Sequence, residues 1–200
     1  MPLLPLFPLD LVLFPGTALP LHIFEPRYKE MIGECLASKA AFGVVRAVEQ
    51  GITEIGCTAE ITDVTKHYAD GRLDIVTRGQ QRFEVLQLDR ERSFLRGEVL
   101  MVPDDPGEAA EQEKHRAIHA HREILALAGT SPDAFSAEAS LSFQLAASLP
   151  LDLDFKQKLL STLSERERIG ELANYLEEIL PGLRRAARAR EKAGGNGHVR

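Results

Sequence analysis

The stretch His22-Ile-Phe-Glu-Pro-Arg-Tyr28 gathers a histidine, two aromatic rings and opposite charges within one turn of chain. Phe24 and Tyr28 are suited to grip an apolar side chain, and the Arg27 guanidinium to bind a carbonyl or carboxylate. The same residues also suit a structural task, with Glu25 tied to Arg27 or Arg82 and the rings filling a seam between elements. Arg78 and Arg82 stand on either side of Gly79 and pose the same choice, a site placed by a bulge or a structural ion pair.

Other residue types with chemical potential are sparse. His115 and His119 lie one helical turn apart, flanked by Glu111 and Glu123 at the same step, a spacing that lets two imidazoles share a metal. A polar helix flank beside Ile118 and Leu125 explains the same pattern, and no metal or other cofactor is expected. The two cysteines, Cys35 and Cys57, are far apart and fall in apolar patterns, as small hydrophobes rather than nucleophiles. GxSxG, HExxH, GxGxxG and CxxC are all absent, which counts against an enzyme. A hydrolytic site without a familiar motif would require a polar pocket with convergent titratable groups.

The elements that must position these residues follow from composition and periodicity. The chain has 200 residues, 44% hydrophobic and 27% charged, with a formal net charge of −6. That describes a folded globular chain, and an acidic one is a poor generic ligand for a nucleic-acid backbone. No apolar run is long enough to span a membrane. The greasy N-terminus lacks a basic region and carries Pro2, Pro5, Pro8 and Pro15, so it reads as mature structure and the expected compartment is the cytoplasm. Leu19, Leu21 and Ile23 alternate as in a strand. Pro26 then opens a helix whose apolar stripe is Tyr28, Met31, Ile32, Cys35 and Leu36. Strands are expected near 41–48, 55–66, 72–78, 82–88 and 95–102, with Asp70-Gly71 turning a long hairpin and Gly79 marking a bulge or corner. Pro103-Asp-Asp-Pro-Gly107 separates this β half from a helical half. Helices are expected over 108–128, from Ser131-Pro132 toward Leu149, around Phe155–Leu163, and from the Ser164/Glu167 capping pair to Pro181-Gly182. Arg184 to the end is basic and glycine-containing, the composition of an unordered tail. It carries no aromatics for base stacking.

Leu4-Pro-Leu-Phe-Pro-Leu9, Val12-Leu-Phe-Pro-Gly16 and Leu19-Pro-Leu-His-Ile-Phe-Glu-Pro-Arg-Tyr28 resemble the opening of the LON N-terminal domain, the substrate-recognition region of Lon proteases. Phe42-Gly-Val-Val45, Gly56-Cys-Thr-Ala-Glu-Ile61 and the Gly79, Arg82, Phe83 constellation extend the likeness. Ala147-Ser-Leu-Pro150, Lys156-Gln-Lys-Leu-Leu160 and the Arg166–Leu180 helix carry it to about residue 182. The resemblance implies an α+β fold: a PUA-like β pseudo-barrel with one embedded helix over 1–105, a C-terminal helical bundle over 106–183, and a basic tail over 184–200.

It also implies a non-catalytic recognition module that binds unfolded or partly unfolded protein segments, similar to a stand-alone bacterial Lon-like protein. No GxxxxGK[ST] loop is present to hold a nucleotide, and no ATPase or protease module is expected in this length. A separate ATPase or protease is a possible partner. The candidate peptide contacts are His22, Phe24, Arg27, Tyr28 and Arg82, acting through an open barrel edge or through apolar docking between barrel and helices. The alternative is RNA binding by the PUA-like fold and basic tail, with nucleic acid the less expected partner.

Overall fold

The computed structural model describes residues 3–105, 107–131, 134–136 and 139–195. In chain order the elements are β1 (Leu4–Leu9), β2 (Ala18–Ile23), α1 (Pro26–Ser38), β3 (Phe42–Val48), β4 (Gly51–Ile52), β5 (Ile55–His67), β6 (Leu73–Asp89) and β7 (Arg96–Val102). They continue with α2 (Glu111–Leu127), α3 (Leu141–Ala147), α4 (Leu153–Ser161) and α5 (Glu165–Gly195). They form two compact units, Met1–Asp104 with Ala137–Leu163, and Asp105–Ser136 with Ser164–Arg200. The expected boundary near residue 105 is thus one of several crossings, and the helices divide between the units. α4 belongs with the sheet because it packs on β5, and α3 joins it through α4 and through Phe143, which stacks on Phe14.

In the first unit the hydrogen-bonded path runs β1-β7-β6-β5-β3-β4, and β1 also pairs parallel with β3, so the path returns on itself. It is not a clean barrel: β2 hangs from β6 alone and β4 from β3 alone. The stripe expected on α1 is the buried one, with Tyr28, Met31, Ile32 and Cys35 packed among Phe7, Ile23, Phe42 and Ile75. Each such side chain contributes about 1.5–3 kcal/mol by leaving water. Pro26 opens the helix as its spacing predicts.

β5 and β6 form the expected hairpin, turning where Gly71 has φ +80 and the Asp70 carboxylate accepts the Arg72 amide at 3.2 Å. β6 does not stop at Gly79 but runs through it, and the register against β5 shifts between Cys57 and Ala59, opposite Arg82 and Gly79. Glycine is required there because the backbone of residues 14–17 presses on it. The Gly79 amide donates to the Thr17 carbonyl at 2.9 Å, and an added Cβ would stand 2.2 Å from the Phe14 carbonyl oxygen.

In the second unit α2 and α5 lie side by side and parallel, since Arg116 reaches Asn174 and Glu177 while Glu123, further along, reaches Arg184. Ala117, Ala120, Ile124 and Leu125 on α2 and Ile169, Leu172, Ala173 and Leu176 on α5 are all buried. Two expectations change here. Pro181-Gly182 does not end α5, which continues to Gly195 with Pro181 inside it. Proline removes one backbone hydrogen bond, at a cost of about 3 kcal/mol, and the alanine- and arginine-rich sequence beyond it is strongly helix-forming. The basic segment is therefore helical as far as Gly195; residues 196–200 lie outside the described residues. Pro132 also lies outside them, residues 134–136 are not helical, and the next helix starts only at Leu141. Among the described residues no helix is long and apolar enough to cross a membrane.

Candidate functional site

The end of β2, the start of α1 and the tip of the β5–β6 hairpin meet around Asp74. β2 pairs with β6 so that His22 stands opposite Asp74, and its Nδ1 lies 2.5 Å from an Asp74 carboxylate oxygen. The Tyr68 hydroxyl donates to the other oxygen at 2.8 Å. These two hydrogen bonds, His22 first, hold the Asp74 carboxyl below the usual carboxylate range. The Tyr68 ring stands edge-on to His22, with the Lys66 ammonium and the Arg72 guanidinium 4.5 and 4.7 Å from its centre. Phe24 stacks on His22 at 5.9 Å and is 58% exposed. The result is an open aromatic and cationic surface fixed from beneath by one carboxylate. Tyr68 and Asp74 were not singled out in the sequence; the aromatic beside the Asp-Gly turn was the one signal available.

Arg27 and Tyr28 face a neighbouring cleft. The Arg27 guanidinium lies 4.5 Å from the centre of the Tyr28 ring, and its Nε donates to Glu25 at 2.9 Å, the structural pairing anticipated for Glu25. Tyr28 is buried and stacked on Phe7 at 4.0 Å; burial pushes its hydroxyl pKa up. The cleft has a volume of about 340 Å³, with Pro8, Tyr28, Ile52 and Phe94 as its apolar walls. Arg27, Arg90, Arg92 and Ser93 supply the polar part of its lining. Arg92 sits 5.0 Å from the centre of the Phe94 ring and binds both Glu30 and Glu34, while Ser93 also donates to Glu30. The Ser93 and Arg92 bonds hold the Glu30 carboxyl below its ordinary range.

Arg82, the fifth expected contact, is not brought into either surface. It is 2% exposed. Its Nη1 donates to the Leu160 and Thr162 carbonyls at 3.0 and 2.8 Å, and its Nη2 to the Pro103 carbonyl at 3.1 Å and to Asp104. Two of these carbonyls are the orphan groups that the C-terminal end of α4 leaves unpaired, where a cation also suits the helix dipole. Arg82 therefore joins β6, the end of β7 and the end of α4.

The remaining candidates resolve locally. Cys35 and Cys57 are buried, and desolvation pushes their thiols up to about 11 and about 12. His115 and His119 are exposed on α2, but Glu111 pairs with Lys114 and Glu123 with Arg184. Among the described residues no group of three or more His, Cys, Asp or Glu is placed to hold a metal ion.

Residues 3–178 match the family described as the ATP-dependent protease La (LON) substrate-binding domain. A Lon protease of Parabacteroides distasonis is 28% identical over 60% of this chain and 16% of its own length. One from Roseiflexus castenholzii is 27% identical over 95% of this chain and 26% of its own. The chain thus spans about a quarter or less of the length of these relatives. A crystal structure of a Lon N-terminal domain protein from Xanthomonas campestris superposes with a TM-score of 0.71 at 27% identity, covering 88% of this chain and 99% of that one.

Proposed function

Since the chain belongs to the LON substrate-binding domain family, we propose that it is a recognition module that binds protein or peptide segments and performs no covalent chemistry on them. The observation that carries this reading is the match to a substrate-binding domain over residues 3–178. The returning strand path is, in this reading, the PUA-like pseudo-barrel that supports the binding surface. His22, Phe24 and Arg27 are the contacts, offering an exposed ring and cation on a fixed base. Tyr28 forms the wall beside them, and Arg82 holds the unit together without touching the bound segment. Captured segments are passed to a separate ATPase or protease in the cytoplasm. The RNA alternative draws no support from the family or the relatives named above, and Arg184 of the basic stretch is already paired with Glu123.

The test is capture of a permanently unfolded protein, reduced and carboxymethylated, compared with its native form. The wild-type chain retains the unfolded form and releases the native one. Phe24→Ala weakens retention several-fold with an unchanged melting temperature. Equal retention of both forms, or of neither, refutes the proposal.

A further inference from the structure

We propose that the cleft between Tyr28 and Phe94 receives the C-terminal residue of a captured chain, its apolar side chain against the two rings and its α-carboxylate on Arg90. The inference rests on the recognition reading and adds the feature recognised. Four observations lead to it. The cleft, at about 340 Å³, is at the small end of the roughly 300–1,000 Å³ of ligand sites, room for one residue rather than a long segment. Its walls place cation beside ring twice, Arg27 at 4.5 Å from Tyr28 and Arg92 at 5.0 Å from Phe94. Those two guanidiniums are already neutralised by Glu25 and by Glu30 with Glu34. Arg90 lines the same cleft, is exposed, and has no hydrogen-bond or ion-pair partner among the described residues.

A free guanidinium fork matches a carboxylate in two parallel hydrogen bonds, and its charge is the one the cleft leaves unanswered. The choice of a chain end over an internal acid follows from geometry. In an extended segment neighbouring side chains point to opposite faces, and those sharing a face are about 7 Å apart. An internal segment would also need exits for backbone on both sides. Only a terminal residue carries an apolar side chain and a carboxylate on one Cα.

The experiment uses the full chain and N-terminally labelled hexapeptides, read by fluorescence anisotropy. One peptide ends in Phe with a free carboxylate, one is its C-terminal amide, and one is an amide with Asp two residues before the Phe. The free acid binds at least tenfold tighter than either amide. Arg90→Ala lowers its affinity to that of the amide without moving the melting temperature, and Arg90→Glu reverses the preference. Equal binding of acid and amide, equal binding of the internal-Asp peptide, or an inert Arg90→Ala overturns the proposal. Displacement by inorganic phosphate at concentrations below those of the free-acid peptide overturns it as well, in favour of a phosphate site. The unfolded reporter separates the two readings. Retention of that reporter without end selectivity removes this inference alone, whereas failure to capture the reporter or any peptide removes the recognition reading too.

Discussion

Replacing Arg82 with alanine distinguishes a buried structural clasp from a binding contact. The side chain is 2% exposed and donates to three backbone carbonyls and Asp104. Hydrogen bonds to a charged group contribute about 1.5–3 kcal/mol each before the cost of burying the guanidinium is subtracted. Removing one partner of a buried charged network costs about 3–5 kcal/mol, because the remaining polar groups stay buried and unpaired. For a chain of this size that lowers the melting temperature by about 10 °C. Asp104 is the smaller part: its side chain is 43% exposed, so Asp104→Asn costs about 1 kcal/mol or less. Arg82→Lys restores only part of the loss, since one ammonium cannot reach four acceptors on two segments. Urea denaturation of the four proteins, followed by far-ultraviolet circular dichroism, gives the ordering. A fully stable Arg82→Ala protein that has lost peptide capture would refute the reasoning and return Arg82 to the binding surface.

Gly79→Ala places a methyl group 2.2 Å from the Phe14 carbonyl oxygen, and backbone must move to admit it; a loss of about 1–3 kcal/mol is expected by denaturation, and an unchanged midpoint would contradict the close approach. Cys35 and Cys57, with thiols pushed up to about 11 and about 12 by burial, react with Ellman's reagent at pH 8 only as fast as the chain opens, and prompt reaction in the native state would count against their burial. Their contribution to stability is complete below the ordinary thiol range and is lost as pH rises through about 11 to 12. Burial, then Arg122, holds the His121 imidazole below its ordinary range. The α2–α5 unit is therefore more stable above the unfolded imidazole pKa of about 6.5 and loses that contribution as pH falls. Thermal unfolding at pH 8 and pH 5 should show the loss in wild type and a smaller one in His121→Phe.

Where neighbours in the chain decide the outcome, the residues announced it. Pro26 with the stripe from Tyr28 to Cys35 specifies α1 through a local period and a missing amide donor. Asp70-Gly71 specifies the hairpin turn through a left-handed φ that glycine adopts without strain. Glu25 beside Arg27 foretold an ion pair within reach of two residues. Pro181 misled because a local breaker was weighed without the helix formers that follow it. What tertiary structure alone decided are the meetings of distant segments: Arg82 with Leu160 and Thr162, His22 with Asp74 and Tyr68, and the cleft that brings Tyr28, Arg90 and Phe94 together. Periodicity tells which side of an element is apolar but carries no information about which other element will cover it. The pairing of β2 with β6 and the packing of α4 on the sheet settle that, and with it whether an arginine is a clasp or a contact.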